Sequence, residues 1–181
     1  MSKVTISGNV NGTGTFTIAS PNSNTDRTLT LPDNTGTILT TATAGVPVNG
    51  PAFSAYQSVA QTLTSATFTK LTFTTEEFDT NNNFSSSRFT PTIAGYYQFT
   101  ASVAVASSAT TIFSYFYKNG AYEKSAGGIG ATQGVASGTA LIYCNGSTDY
   151  IEVYAYFGTG QNTSNQPYAT FFQGFLARSA T

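Results

Sequence analysis

The chain has 181 residues, of which only 8% are charged, against about a quarter in an average domain. Seven Lys+Arg among eight Asp+Glu give a formal net charge of -1 and no basic patch, which excludes the usual footprint of a nucleic-acid binder. There is no histidine, which removes Ser-His-Asp and Cys-His nucleophile systems and His-ligated zinc, so the chain reads as a non-enzyme.

Thr occurs 32 times, beside 14 Phe, 11 Tyr and 17 Gly. Thr, Tyr and Phe suit a pleated, half-buried surface, and Asn and Gly suit tight turns, so the composition predicts an all-β protein. Residues 1–48 read as a thin β-rich segment. Thr15–Ile18, Thr28–Leu31 and Thr37–Leu39 are short strands separated by the turn sequences Pro21–Asn24 and Pro32–Gly36. They carry too few large apolar residues for a core of their own, so the segment needs other copies or a larger partner to hold it. Thr40–Pro51 is small, uncharged and carries two prolines, and reads as the linker.

Residues 49–181 hold most of the aromatics. Strands are predicted over Leu71–Thr75, Arg88–Thr90, Tyr96–Ala106, Thr111–Lys118, Gly134–Tyr143, Tyr150–Phe157 and Tyr168–Arg178. Asn119-Gly120 and Asn145-Gly146 are hairpin signals, and the Gly/Ala-rich stretch Ala126–Ala131 reads as a loop. Cys144 closes a strand and reads as a small buried hydrophobe, and a single cysteine allows no internal disulfide. No stretch has the apolar length of a signal peptide or a membrane span, so synthesis in the cytoplasm and no membrane insertion are expected.

Two strands are apolar on both faces. Ile151, Val153, Ala155 and Phe157 oppose Tyr150, Tyr154 and Tyr156, and Phe171 and Phe175 oppose Phe172 and Leu176. A two-layer sandwich covers one face of each sheet, so something else must cover the other, and self-association is the economical answer. Tyr154, Tyr156, Phe171, Phe172, Phe175 and Leu176 are therefore the expected interface, and Asp at Tyr154 or Phe172 is expected to break assembly.

Phe53-Ser54-Ala55, Arg88-Phe89-Thr90-Pro91 running to Tyr97-Gln98-Phe99, Tyr117-Lys118-Asn119-Gly120, Asp149-Tyr150-Ile151 and Gly174-Phe175-Leu176 occur in an order that resembles the globular domain of the complement C1q and tumour-necrosis-factor superfamily. The resemblance covers roughly residues 52–178. It implies a ten-strand jelly-roll sandwich that assembles as a homotrimer and acts as a binding head. No collagen-like stalk precedes it, so complement or receptor partners do not carry over. Gly12-Thr13-Gly14-Thr15-Phe16 to Pro21, Thr28–Asp33 and Gly36–Leu39 resemble segments of bacteriophage tail-fibre and other virion-fibre proteins, where such stretches precede a trimeric tip.

Candidate sites are few. Glu76 and Glu77 are adjacent on or near a strand and point to opposite faces unless a bulge intervenes. Asp79 beside Asn81, Asn82 and Asn83 is oxygen-rich, and some members of the superfamily bind calcium, but the spacing of a calcium motif is absent and no cofactor is expected. Tyr122, Tyr154, Tyr156 and Tyr168 have the chemistry to stack on sugar rings. The polar loop after Phe157 supplies Gln161, Asn162, Thr163 and Asn165 beside Tyr168 as a possible ligand loop.

The expected protein is a homotrimeric phage virion component. Residues 1–48 attach it to other virion proteins, and residues 49–181 form a knob that binds a host surface glycan or protein. The alternative is a capsid decoration or head-fibre protein that adds stability or weak adhesion. Depolymerase activity is disfavoured by the scarcity of carboxylates and the lack of a repeat-built β-helix.

Overall fold

Alternation of apolar and polar residues from Ala52 onward builds thirteen strands and no helix in the computed structural model, which describes residues 8, 10–15, 17–19, 22–26, 28, 50–107, 111–130 and 134–180. The chain divides into two units, Met1–Ile38 and Leu39–Thr181. In the first, the described residues form neither strand nor helix. Thr15, Thr17 and Ile18 are exposed where a strand was expected, and the Thr25 amide donates to Ser23 Oγ at 3.2 Å in a local turn. Of the other two expected strands only Thr28 is described, and it is not in a strand; the linker's residues 40–49 lie outside the described residues.

In the second unit the strands are β1 Ala52–Tyr56, β2 Thr62–Leu63, β3 Thr69–Lys70, β4 Thr75–Asp79, β5 Phe84–Ser85, β6 Arg88–Phe89 and β7 Gly95–Ala104. They continue with β8 Ile112–Lys118, β9 Ala121–Ile129, β10 Val135–Cys144, β11 Ile151–Phe157, β12 Gln161–Asn162 and β13 Phe171–Ser179. One sheet runs β10-β7-β13-β1-β4, and the other runs β5-β6-β11-β8-β9 with β3 also on β11. A small β12-β2 pair closes one end. The connections from β7 to β8, β9 to β10 and β10 to β11 each cross between the sheets, the chain path of a jelly roll.

The inward faces make one core. On β7 the alternation buries Tyr97, Phe99, Ala101 and Val103, and on β11 it buries Ile151, Val153, Ala155 and Phe157. Phe53, Phe89, Phe99, Phe116 and Phe172 stack between the layers, with Phe53 4.4 Å from Phe89 and 4.8 Å from Phe172 between ring centroids. Such pairs add about 0.5–1.5 kcal/mol each beyond the area they bury. Tyr97 is buried with its hydroxyl donating to the Ile93 carbonyl at 2.7 Å, and burial pushes its phenol well above the usual tyrosine value.

Three local readings are corrected. The Gly/Ala-rich stretch from Ala126 to Ile129 belongs to β9 rather than to a loop. Gly127 is needed there because its φ is +133° and a Cβ would lie 2.7 Å from the Ser137 carbonyl oxygen of β10, where the edges of the two sheets meet. Asn119-Gly120 does turn the β8–β9 hairpin, with φ of 54° and 79° at its two residues. Asn145-Gly146 instead crosses from β10 to β11 in the other sheet, and Asn145 Oδ1 accepts from the amides of Ser147, Thr148 and Asp149 at 3.0 Å. The predicted strand Leu71–Thr75 falls on the connection between β3 and β4, where Leu71 and Phe73 are buried, and only Thr75 lies in a strand.

Candidate functional site

Strand alternation leaves each sheet with an outer face, and the two faces differ. On the five-stranded sheet the register lines up Tyr143 with Tyr96 and Arg178, and Leu141 with Gln98 and Phe175. Tyr96, Leu141, Tyr143, Phe175 and Phe78 remain about half exposed. Uncharged Gln98, Thr100 and Gln173 lie between them. Two open depressions mark this face: about 480 Å³ beside Tyr96, Leu141 and Arg178, and about 250 Å³ between Phe78, Gln98 and Phe175.

On the six-stranded sheet the outer face is a ladder of rings. Tyr154 stacks on Tyr117 at 4.0 Å and 23°, Tyr117 meets Tyr122 edge-on, and Tyr122 meets Tyr115 at 5.1 Å. Phe68 then bridges Tyr115 and Tyr156 at 5.2 and 5.1 Å, and Phe113 closes on both. Burial, reinforced by nearby Glu152 and its tyrosine neighbours, raises the Tyr154 phenol above its usual value.

At one end of this ladder lies a buried carboxylate. Glu152 keeps only 3% of its side chain exposed. Its Oε1 accepts from Lys70 Nζ at 2.7 Å and from Arg88 Nε at 2.9 Å. The Arg88 guanidinium also lies 3.7 Å over the Tyr150 ring. Such a carboxylate needs its partners, because burying a charge unpaired costs several kcal/mol.

The sequence-based interface set divides among three places. Phe172 and Leu176 face the core of their own protomer, since they sit at the inward positions of β13, so they pack the sandwich rather than an outer surface. Phe171 and Phe175 face outward on the five-stranded sheet, and Tyr154 and Tyr156 face outward on the other. The reading of β11 and β13 as two-faced holds, but alternation alone cannot say which sheet each strand joins.

The ligand-loop set also divides. Thr163 is buried, and its Oγ1 accepts from the Gln61 amide at 2.9 Å. Asn162 Oδ1 accepts from Thr62 Oγ1 at 2.7 Å, and Gln161 Oε1 accepts from Ser107 at 2.5 Å. These three tie the loop to its neighbours. Asn165 and Tyr168 are exposed, Tyr168 at 79%.

The bulge that the sequence left open is present, with Glu77 as its extra residue: Ser54 pairs with Phe78 and Ala55 with Glu76, and Ser54 Oγ donates to Glu77 Oε2 at 2.6 Å. Asp79 caps its own turn, accepting from the Phe84 amide at 2.6 Å. Among the described residues no three His, Cys, Asp or Glu side chains gather as a metal site. Cys144 is buried, and burial pushes its thiol up to about 12 despite the nearby Lys118.

Phe68, Phe113, Tyr115 and Tyr117 were not among the site residues expected from sequence. The signal for the last three was present in Thr111–Lys118, where Phe113, Tyr115 and Tyr117 alternate with Ile112, Ser114 and Phe116.

No family profile and no curated protein sequence matches the chain. Solved structures do. Murine APRIL superposes with a TM-score of 0.56 at 11% identity, covering 71% of this chain and 99% of its own. The globular domain of zebrafish complement 1qA gives 0.53 at 17% identity, covering 73% and 100%. Eiger TNF from S. frugiperda gives 0.55 at 10% identity, covering 77% and 96%. At these identities the likeness is one of fold, and the second unit is a jelly roll of the C1q and tumour-necrosis-factor type.

Proposed function

We propose that the chain is a non-enzymatic virion protein of a bacteriophage, a homotrimeric fibre or fibre tip whose jelly-roll knob binds a host surface glycan or protein. The observation that carries the assembly is the outer face of the five-stranded sheet. Tyr96, Leu141, Tyr143, Phe175 and Phe78 stand half exposed there, with Gln98, Thr100 and Gln173 between them and Arg178 at the end beside Tyr96. An apolar surface of this kind marks an interaction site, and a second copy of the chain is the occupant we assign to it. The fold shared with APRIL, Eiger and complement 1qA supports a binding head, and the fibre-like N-terminal sequence supports attachment of residues 1–48 to other virion proteins. The same interface would serve a capsid decoration or head-fibre protein, and copy number in purified particles separates the two: few copies for a fibre, many for a decoration protein.

Competition for adsorption tests the receptor-binding role. Purified chain in excess should slow adsorption of the parent particle to its host. Unchanged adsorption at saturating protein would remove the receptor-binding role and leave the decoration reading.

A further inference from the structure

We propose that the outer face of the six-stranded sheet, where the Lys70–Glu152–Arg88 cluster meets the Tyr117–Tyr154 stack, binds a carboxylate-bearing polysaccharide. This inference rests on the reading of the protein as a receptor-binding knob and names the class of ligand.

Charge is the first ground. Two cations converge on a single carboxylate oxygen, Glu152 Oε1, so the cluster carries an excess of one positive charge in a chain whose formal net charge is -1. Glu152 is held inside, while the side chains of Lys70 and Arg88 are 30% and 42% exposed. Lys70 Nζ makes two hydrogen bonds, to Glu152 and to the Ser86 carbonyl, and an ammonium has three protons. Arg88 spends Nε and Nη2 on Glu152, and Nη1 has no partner among the described residues. An incoming carboxylate would therefore find donors already fixed by a buried acid. β9, separated from β11 by β8, carries one acid and one base, Glu123 and Lys124, and so adds no net charge to the sheet.

The rings are the second ground. Tyr154 pairs with Lys70 in the β11–β3 register, and its ring partner Tyr117 pairs with Glu152 across β8, so the cluster and the aromatic ladder share one surface. These rings are fixed by each other before any ligand arrives, which lowers the entropy lost on binding. The exposed rings of the ladder, Tyr122, Phe68 and Phe113, offer apolar surface suited to the C–H faces of pyranose rings. An acidic peptide would satisfy the cations and leave the ladder unused.

The chain contains 11 Tyr and no Trp, so its intrinsic fluorescence is that of tyrosine and can follow binding on the full-length protein. The probes are an oligogalacturonate and the same oligosaccharide after carboxyl reduction. The acidic form should bind, and binding should weaken about tenfold on carboxyl reduction and fall as salt rises. Arg88→Gln should weaken it by a similar factor. Tyr122→Ser, at a 58% exposed ring, should weaken it several-fold with an unchanged unfolding temperature, which keeps the test valid if Arg88→Gln folds poorly.

Equal binding of the acidic and reduced forms, or no binding of either, would overturn the proposal. So would a full response from Tyr122→Ser. Native mass on the same samples separates the two readings. A trimer that binds neither form removes this site alone, and a monomer that binds the acidic form removes the trimer and keeps the site.

Discussion

The Phe99 ring occupies the space that a side chain on Gly174 would need: a Cβ there would lie 2.6 Å from Phe99 Cδ1 and 3.0 Å from the Gln98 carbonyl oxygen. This explains the glycine in Gly174-Phe175-Leu176. The two residues are paired in the β13–β7 register, and Phe99 lies fully buried in the aromatic core. Gly174→Ala should destabilise the knob by about 1–3 kcal/mol, through overpacking in a core with no room to yield. Chemical denaturation of the variant beside the parent chain measures it.

The five-stranded face and the inward positions of β13 predict opposite outcomes for neighbouring residues. Phe175→Asp should leave the protomer folded and disperse the assembly, because Phe175 is 48% exposed. Phe172→Asp should prevent folding, because it places a carboxylate in the aromatic core. Tyr154→Asp, on the opposite sheet, should leave the assembly intact. Circular dichroism with sedimentation velocity reads folding and mass together.

Asp149 links stability to acid. Burial alone would raise its carboxyl, but hydrogen bonds from Asn119, Lys118 and the Asn145 amide, with the Lys118 charge, hold it below the usual value. The folded chain thus takes up this proton less readily than the unfolded chain. Its contribution is complete above about pH 4, the unfolded value, and is lost as pH falls through the folded value. Asp149→Asn should flatten that part of the acid limb of a melting-temperature profile and lower stability at neutral pH.

Cys144 reports on the core. With its thiol buried and pushed up to about 12, it should resist thiol reagents at pH 8 in the folded protein. Labelling should appear only with unfolding, and mass spectrometry across a denaturant series should show both transitions at one midpoint.

How much of this was legible depended on the element. Alternation in Tyr97, Phe99, Ala101 and Val103 names the core side of β7 directly, and the side chains bear it out. Gly127 and Gly128 hid β9, because glycine reads as loop, whereas here it permits the close approach of two sheet edges. Asn145-Gly146 has the composition of a hairpin turn, yet its Asn side chain caps a crossover, a distinction made only by where β11 pairs. The ring ladder and the Glu152 cluster unite residues from β3, β6, β8, β9 and β11. Their meeting depends on sheet order, which local periodicity does not encode.

Assembly through the five-stranded face is the central claim, and native mass by light scattering tests it most directly. Three copies of the 19.0 kDa chain give about 57 kDa, and that is the predicted result, with Phe175→Asp falling to about 19 kDa. A parent chain that runs as a 19 kDa monomer would contradict it.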